Sequence, residues 1–234
     1  MFKPTSRYVL TTLAAAVLST AANAAVVVSK DTTIVDTIPG LTGFASTGAD
    51  MDGMRVTATF SSGFSQTVVW ADTGATSGGV SGTGWGLSET GDTFSSAWTF
   101  SFTPGATLGQ LASLVLDATG GGQITVFDAT DPSTGTPGSA SGGDFALIGG
   151  CADCSATAVY SHVIGVTPDL PVGDIFHRLE VSFVSDTGPR TDFTFRQDTD
   201  NDLRKLTGFV PEPGALALTG LALLGLATTR RRVR

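Results

Sequence analysis

Ala97-Trp98-Thr99-Phe100-Ser101-Phe102 places a large apolar side chain on every second residue, with a small hydroxyl residue between. Successive side chains of a strand leave on opposite faces, so this spacing predicts a strand buried on one side and wet on the other. The same period of two recurs in Arg55-Val56-Thr57-Ala58-Thr59-Phe60 and Thr67-Val68-Val69-Trp70. It returns at 113–117, 124–127, 158–166, 179–184 and 192–195, each run bounded by Gly, Pro, Asp or Ser. Helical patterning is missing between them, and Thr107 to Leu111 is too short to count. Short strands without intervening helices predict an all-β fold, an antiparallel β-sandwich or jelly roll closing over Val, Ile, Leu, Phe and Trp. Trp70 and Trp98 lie within such runs and are expected in that core.

Two turn-rich tracts interrupt the runs, Asp72 to Gly84 and Asp128 to Asp144, and both read as exposed loops. Loops of this length gather at the ends of a sandwich, where binding functions sit. The chain has 21 acidic against 13 basic residues, and six of the cations (Lys3, Arg7, Arg230, Arg231, Arg232 and Arg234) fall at its two ends. The middle is therefore more acidic than the formal net charge of −8. Such a surface repels nucleic acid and anionic lipid and argues against a phosphate-binding role. It suits a divalent-rich medium in which calcium can occupy carboxylates; solubility alone accounts for it equally well.

The termini read as addresses. Lys3 and Arg7, the apolar stretch Tyr8 to Leu18 and the small-residue site Ala22-Asn23-Ala24 form a secretory signal helix, residues 1–24. Signal peptidase would cut after Ala24 and leave a single domain over 25–208. The last segment, 209–234, holds Pro211-Glu212-Pro213, an uncharged stretch from Gly214 to Ala227 and the arginine cluster. That stretch makes a short hydrophobic helix of about 21 Å, below the ~30 Å of a bilayer core, and a thinned bilayer can absorb the difference. The arginines would stay cytoplasmic and leave the tripeptide just outside the inner membrane. The three parts, in this order, resemble the PEP-CTERM sorting signal of Gram-negative bacteria that export proteins with an extracellular polysaccharide. The resemblance covers about a tenth of the chain. It implies that an exosortase-type enzyme recognises Pro211, Glu212 and Pro213 and removes a transient membrane anchor. An ordinary C-terminal anchor with a proline hinge is the alternative.

Few residues in the body suggest chemistry. Cys151 and Cys154, in Cys-Ala-Asp-Cys, read as a tight disulfide in an exported protein, with a metal site or redox pair as alternatives. Asp198-Thr199-Asp200-Asn201-Asp202 sets Asp198, Asp200 and Asp202 on alternate positions, a spacing that lets one loop converge on calcium. Asp50-Met51-Asp52-Gly53 is a shorter version; in both, the carboxylates could instead cap their own turn. Trp85, in the glycine-rich Gly82-Thr83-Gly84-Trp85-Gly86, is the candidate platform for a sugar ring. No nucleophile elbow or zinc-binding His-Glu-x-x-His is present, and nothing in sequence brings Glu89 to Glu180 as a glycosidase pair. No catalytic residue is assigned. The expected function is a non-enzymatic protein of the cell surface or exopolysaccharide matrix, acting by adhesion or scaffolding. A lectin-like, calcium-dependent carbohydrate-binding module and a secreted hydrolase are the alternatives.

Overall fold

The computed structural model describes residues 24–42, 46–119, 125–129, 142–166 and 174–202. The helices expected at the two ends, and with them Pro211, Glu212 and Pro213, lie outside these residues. Among those described, no helix is long and apolar enough to cross a membrane. The described chain is predominantly β, as the period of two predicts, and its strands form two sheets.

The longer sheet contains β1 (Ala25–Lys30), β2 (Ile34–Ile38), β3 (Leu41–Thr42), β4 (Arg55–Phe60) and β5 (Ser65–Val69) from the first part of the chain. Strands β10 (Leu111–Asp117), β11 (Thr125–Asp128), β13 (Ser155–Val166), β14 (Ile175–Phe183) and β16 (Thr199–Asp202) complete it. The shorter sheet runs in the order β12 (Ala146–Gly149), β15 (Phe193–Arg196), β9 (Trp98–Phe102), β8 (Trp85–Thr90), β7 (Ser77–Gly82), β6 (Ala71–Gly74). Two expectations need correction. The tract from Asp72 to Gly84 is not a loop, because β6 and β7 pair antiparallel through it and β7 continues into β8. Nor is the longer sheet wholly antiparallel. Strand β1 pairs parallel with 155–160 of β13, and β2 pairs parallel with 163–166. The two together act as one edge strand, interrupted where His162 takes a left-handed φ of 61° and the β2 register shifts. Asp31 tacks the junction down, its amide donating to the Tyr160 carbonyl at 2.9 Å.

One core joins the sheets in a sandwich-like arrangement. Register explains its aromatic seam: Phe193 lies opposite Phe100 and Phe195 opposite Trp98, all on the inward faces of β15 and β9. Trp98 stacks on Phe195 at 5.6 Å, Phe100 on Phe193 at 5.2 Å, and Trp70 meets Trp98 at 5.2 Å. Each such side chain buries about 150–250 Å², or roughly 4–6 kcal/mol of transfer free energy as an upper bound. The indole N–H groups are satisfied as well, Trp70 donating to the Gly48 carbonyl at 2.8 Å and Trp98 to that of Gln197 at 2.9 Å. Gly78 must be glycine, since any Cβ there would collide with the Trp70 indole and the Gly48 backbone. A second, smaller cluster of Ile38, Val126, Ile164, Val166 and Ile175 occupies the opposite face at one end of the longer sheet. Strand β11 shows the division, for Phe127 belongs to the main core while its neighbour Val126 belongs to the second cluster.

Candidate functional site

The acidic run at 198–202 is a strand, not the end-loop expected from its spacing. Its residues Thr199–Asp202 pair antiparallel with β11, Val126 opposite Asp200 and Phe127 opposite Thr199, and the Asp128 amide donates to the Asp198 carbonyl at 3.2 Å. Alternation therefore directs Asp128, Asp198 and Asp200 to the face that holds Val126. Carboxylates on alternate strand residues stand about 6.8 Å apart at their backbone, whereas a loop would curl them around an ion. Among the described residues, no three His, Cys, Asp or Glu side chains are arranged to hold a metal ion. The shorter motif is a turn: Asp50 closes the 3-10 segment Gly48–Met51 by accepting from the amide and hydroxyl of Thr47, both at 2.8 Å.

Asp198, Asp200, Asp202 and Asp128 are all buried. Burial, then the neighbouring Asp128 and Asp198 charges, pushes Asp200 up to about 8. Burial and Asp128 push Asp198 up to about 7, against the pull of the Thr93 hydroxyl, which donates to Asp198 Oδ1 at 3.3 Å. Thr93 also accepts from the Thr199 amide at 3.1 Å, tying the loop after β8 to the start of β16. Gln197 completes the corner. It accepts from the Tyr160 hydroxyl through Oε1 and donates to the Asp198 carbonyl at 2.8 Å, while Tyr160 accepts from the Phe145 amide at 2.7 Å. Burial drives the Tyr160 hydroxyl far above its ordinary range, so it acts as a fixed donor and acceptor and not as an acid.

Glu89 is a second buried carboxyl, 1% exposed on the inward face of β8. Burial pushes it up to about 7; the Gly48 amide beside it offsets this only in part, without forming a full hydrogen bond. Glu180 is on the other sheet and pairs with Arg178 at 3.0 Å, so the two glutamates do not form a catalytic pair. His162 is exposed and His177 buried. General acid–base chemistry requires a group within reach of substrate, and these raised carboxyls are sealed from it.

Trp85 is no sugar platform. It is 2% exposed, stacks on Phe100 at 5.7 Å with the rings 4° from parallel, and donates to Gln66 Oε1 at 3.2 Å. The glycines that suggested a loop belong to a tight turn between β7 and β8, and Trp85 opens β8 facing inward. Cys151 and Cys154 pair as expected, with Cα atoms 5.3 Å apart, inside the range a disulfide spans. The carbonyl of Cys154 receives the amide of Ala25 at 3.0 Å, so the first residue after the expected cleavage site already belongs to β1. Ala24 lines a depression of about 200 Å³ beside Gly149 and Cys151. A larger one of about 490 Å³ lies between Phe102, Pro104, Arg190 and Asp192, and neither receives any of the buried carboxyls.

Sequence reading missed Glu89, Asp128, Thr93 and Gln197 as members of buried polar groups. Only strand pairing brings Asp128 to Asp198, across a chain separation that no local motif spans. Compared with family models, with curated proteins and with solved structures, the chain matches none.

Proposed function

We propose that this chain is an exported, non-enzymatic β-sandwich protein, jelly-roll-like in its outline, that joins the cell surface or extracellular polysaccharide matrix of a Gram-negative bacterium. In this reading signal peptidase removes residues 1–24, the tail 209–234 anchors the protein transiently in the inner membrane, and an exosortase-type enzyme releases it. The observation that carries the reading is the order Pro211-Glu212-Pro213, apolar stretch, arginine cluster in the sequence. The body favours adhesion or scaffolding over hydrolysis in this reading, because the three most strongly raised carboxyls, Glu89, Asp198 and Asp200, are buried and line neither depression described above. With Trp85 inside the core, no exposed tryptophan favours a lectin-like module, and no calcium is invoked.

Replacing Pro211, Glu212 and Pro213 together by alanine tests the reading by fractionation of the native host. The expected result is wild-type protein at the surface and in the medium and the variant held in the inner membrane. An unchanged distribution would contradict it.

A further inference from the structure

The outward face of the longer sheet carries an ordered array of hydroxyls that no alternation argument on a single strand reveals. Register aligns Ser65, Thr59, Ser113, Ser182 and Thr157 in one row across β5, β4, β10, β14 and β13, ending at Val27 of β1. The adjacent row runs Thr67, Thr57, Val115, Glu180, Val159, Ser29. Neighbouring strands lie about 4.8 Å apart, so each row extends about 24 Å and repeats at close to the length of one pyranose ring. On β4 and β5 the hydroxyls hold one another in pairs, Thr57 with Thr67 at 2.7 Å and Thr59 with Ser65 at 2.9 Å. Groups already ordered lose little freedom when a ligand arrives.

Two further observations fix the chemistry of the partner. Val27 and Val159 are 64% and 39% exposed at the far end of the rows, offering methyl surface beside the hydroxyls. The charges of this face also balance. Arg178 pairs with Asp117 at 3.3 Å and with Glu180 at 3.0 Å, and Arg55 stands opposite Asp117 on β4. An excess of acid pervades the body as a whole, whereas the acids within and beside these two rows, Glu180 and Asp117, each have Arg178 against them. The shorter sheet differs: its corresponding row, Thr194, Thr99, Ser88, breaks at Gly79 and Ala71.

We infer that this face is the docking surface for an extended neutral glycan of the matrix, lying across the strands with sugar hydroxyls on the Ser and Thr rows and C–H surfaces on the valines. The inference rests on the matrix reading above and names the surface by which the exported protein would hold its polysaccharide. It predicts that Thr57→Val with Thr59→Val, which keeps shape and strand propensity while removing both hydroxyls, weakens binding.

The test is co-sedimentation of the processed protein, recovered from the host surface, with neutral polysaccharide purified from the same host's matrix. An anionic polysaccharide, alginate, serves as the second arm. Expected are binding of the wild type to the neutral polymer, at least a tenfold loss in the double variant at unchanged melting temperature, and no loss in Thr99→Val on the other sheet. Equal binding by the double variant, no binding by the wild type, or preference for alginate would each overturn the inference. Because the double variant leaves the tail untouched, it should still reach the surface; its retention in the inner membrane would instead implicate sorting.

Discussion

Trp98 and Asp200 are sealed inside the same protein for opposite reasons. The seam of Trp98, Phe195, Phe193 and Phe100 is buried because water rejects it, and its one polar atom, the Trp98 indole N–H, has a carbonyl waiting. The corner of Asp128, Asp198 and Asp200 is buried although water favours its charges, and like carboxyls are set against one another there. The seam is where folding gains its free energy. The corner gives part of it back as the carboxyls ionise. One region should be indifferent to pH and intolerant of truncation, the other sensitive to pH and improved by losing its charge.

The largest effect falls on the seam. Trp98→Ala should destabilise the protein by about 3–5 kcal/mol, through lost transfer energy and the cavity left behind. Urea denaturation at pH 5 and pH 8 should give the same loss. A loss confined to one pH would break the distinction between the regions.

The corner should respond with the opposite sign. Asp198 and Asp200, ordinarily at 3.8, are raised to about 7 and about 8 in the folded protein. Between those limits the folded state binds more protons than the unfolded one. Their contribution is therefore fully present below about pH 4, falls as pH rises above that, and is lost once pH has passed through 7 to 8. Asp200→Asn cannot ionise, so it should stabilise by about 1–3 kcal/mol at pH 8, by clearly less at pH 5, and flatten the pH slope. Destabilisation at pH 8, together with a melting temperature that millimolar calcium raises in the wild type alone, would instead give the corner a bound cation.

Glu89 should behave as a weaker copy of the corner. Burial lifts it from its ordinary 4.5 to about 7, with the Gly48 amide working against the shift and the charges of Asp92 and Asp50 adding to it. Glu89→Gln should stabilise by about 1 kcal/mol at pH 8 and vanish as an effect near pH 5. A gain as large as that of Asp200→Asn would remove the difference in strength between the two sites.

The seam was legible in the sequence and the corner was not. Ala97 to Phe102 announces its buried face by alternation, and Trp70 and Trp98 lie where that pattern puts them. Trp85 misled because glycines on either side imitate a loop, whereas here they let a hairpin turn before β8. Asp198 to Asp202 misled for a related reason: alternate aspartates suit a calcium loop and a buried strand equally, and only pairing with β11 decides between them. The parallel run of β1 and β2 along β13 also lay beyond reach, because local pattern fixes which face a residue takes but not which strand lies beside it. The same limit hid the hydroxyl rows, each of whose members comes from a different strand.

The most direct test of the account is the intact mass of the protein recovered from its host's surface and medium. The expected species begins at Ala25, retains the disulfide and ends among Pro211, Glu212 and Pro213. A mass that still includes Arg234 would make the tail a plain anchor and contradict delivery to the matrix.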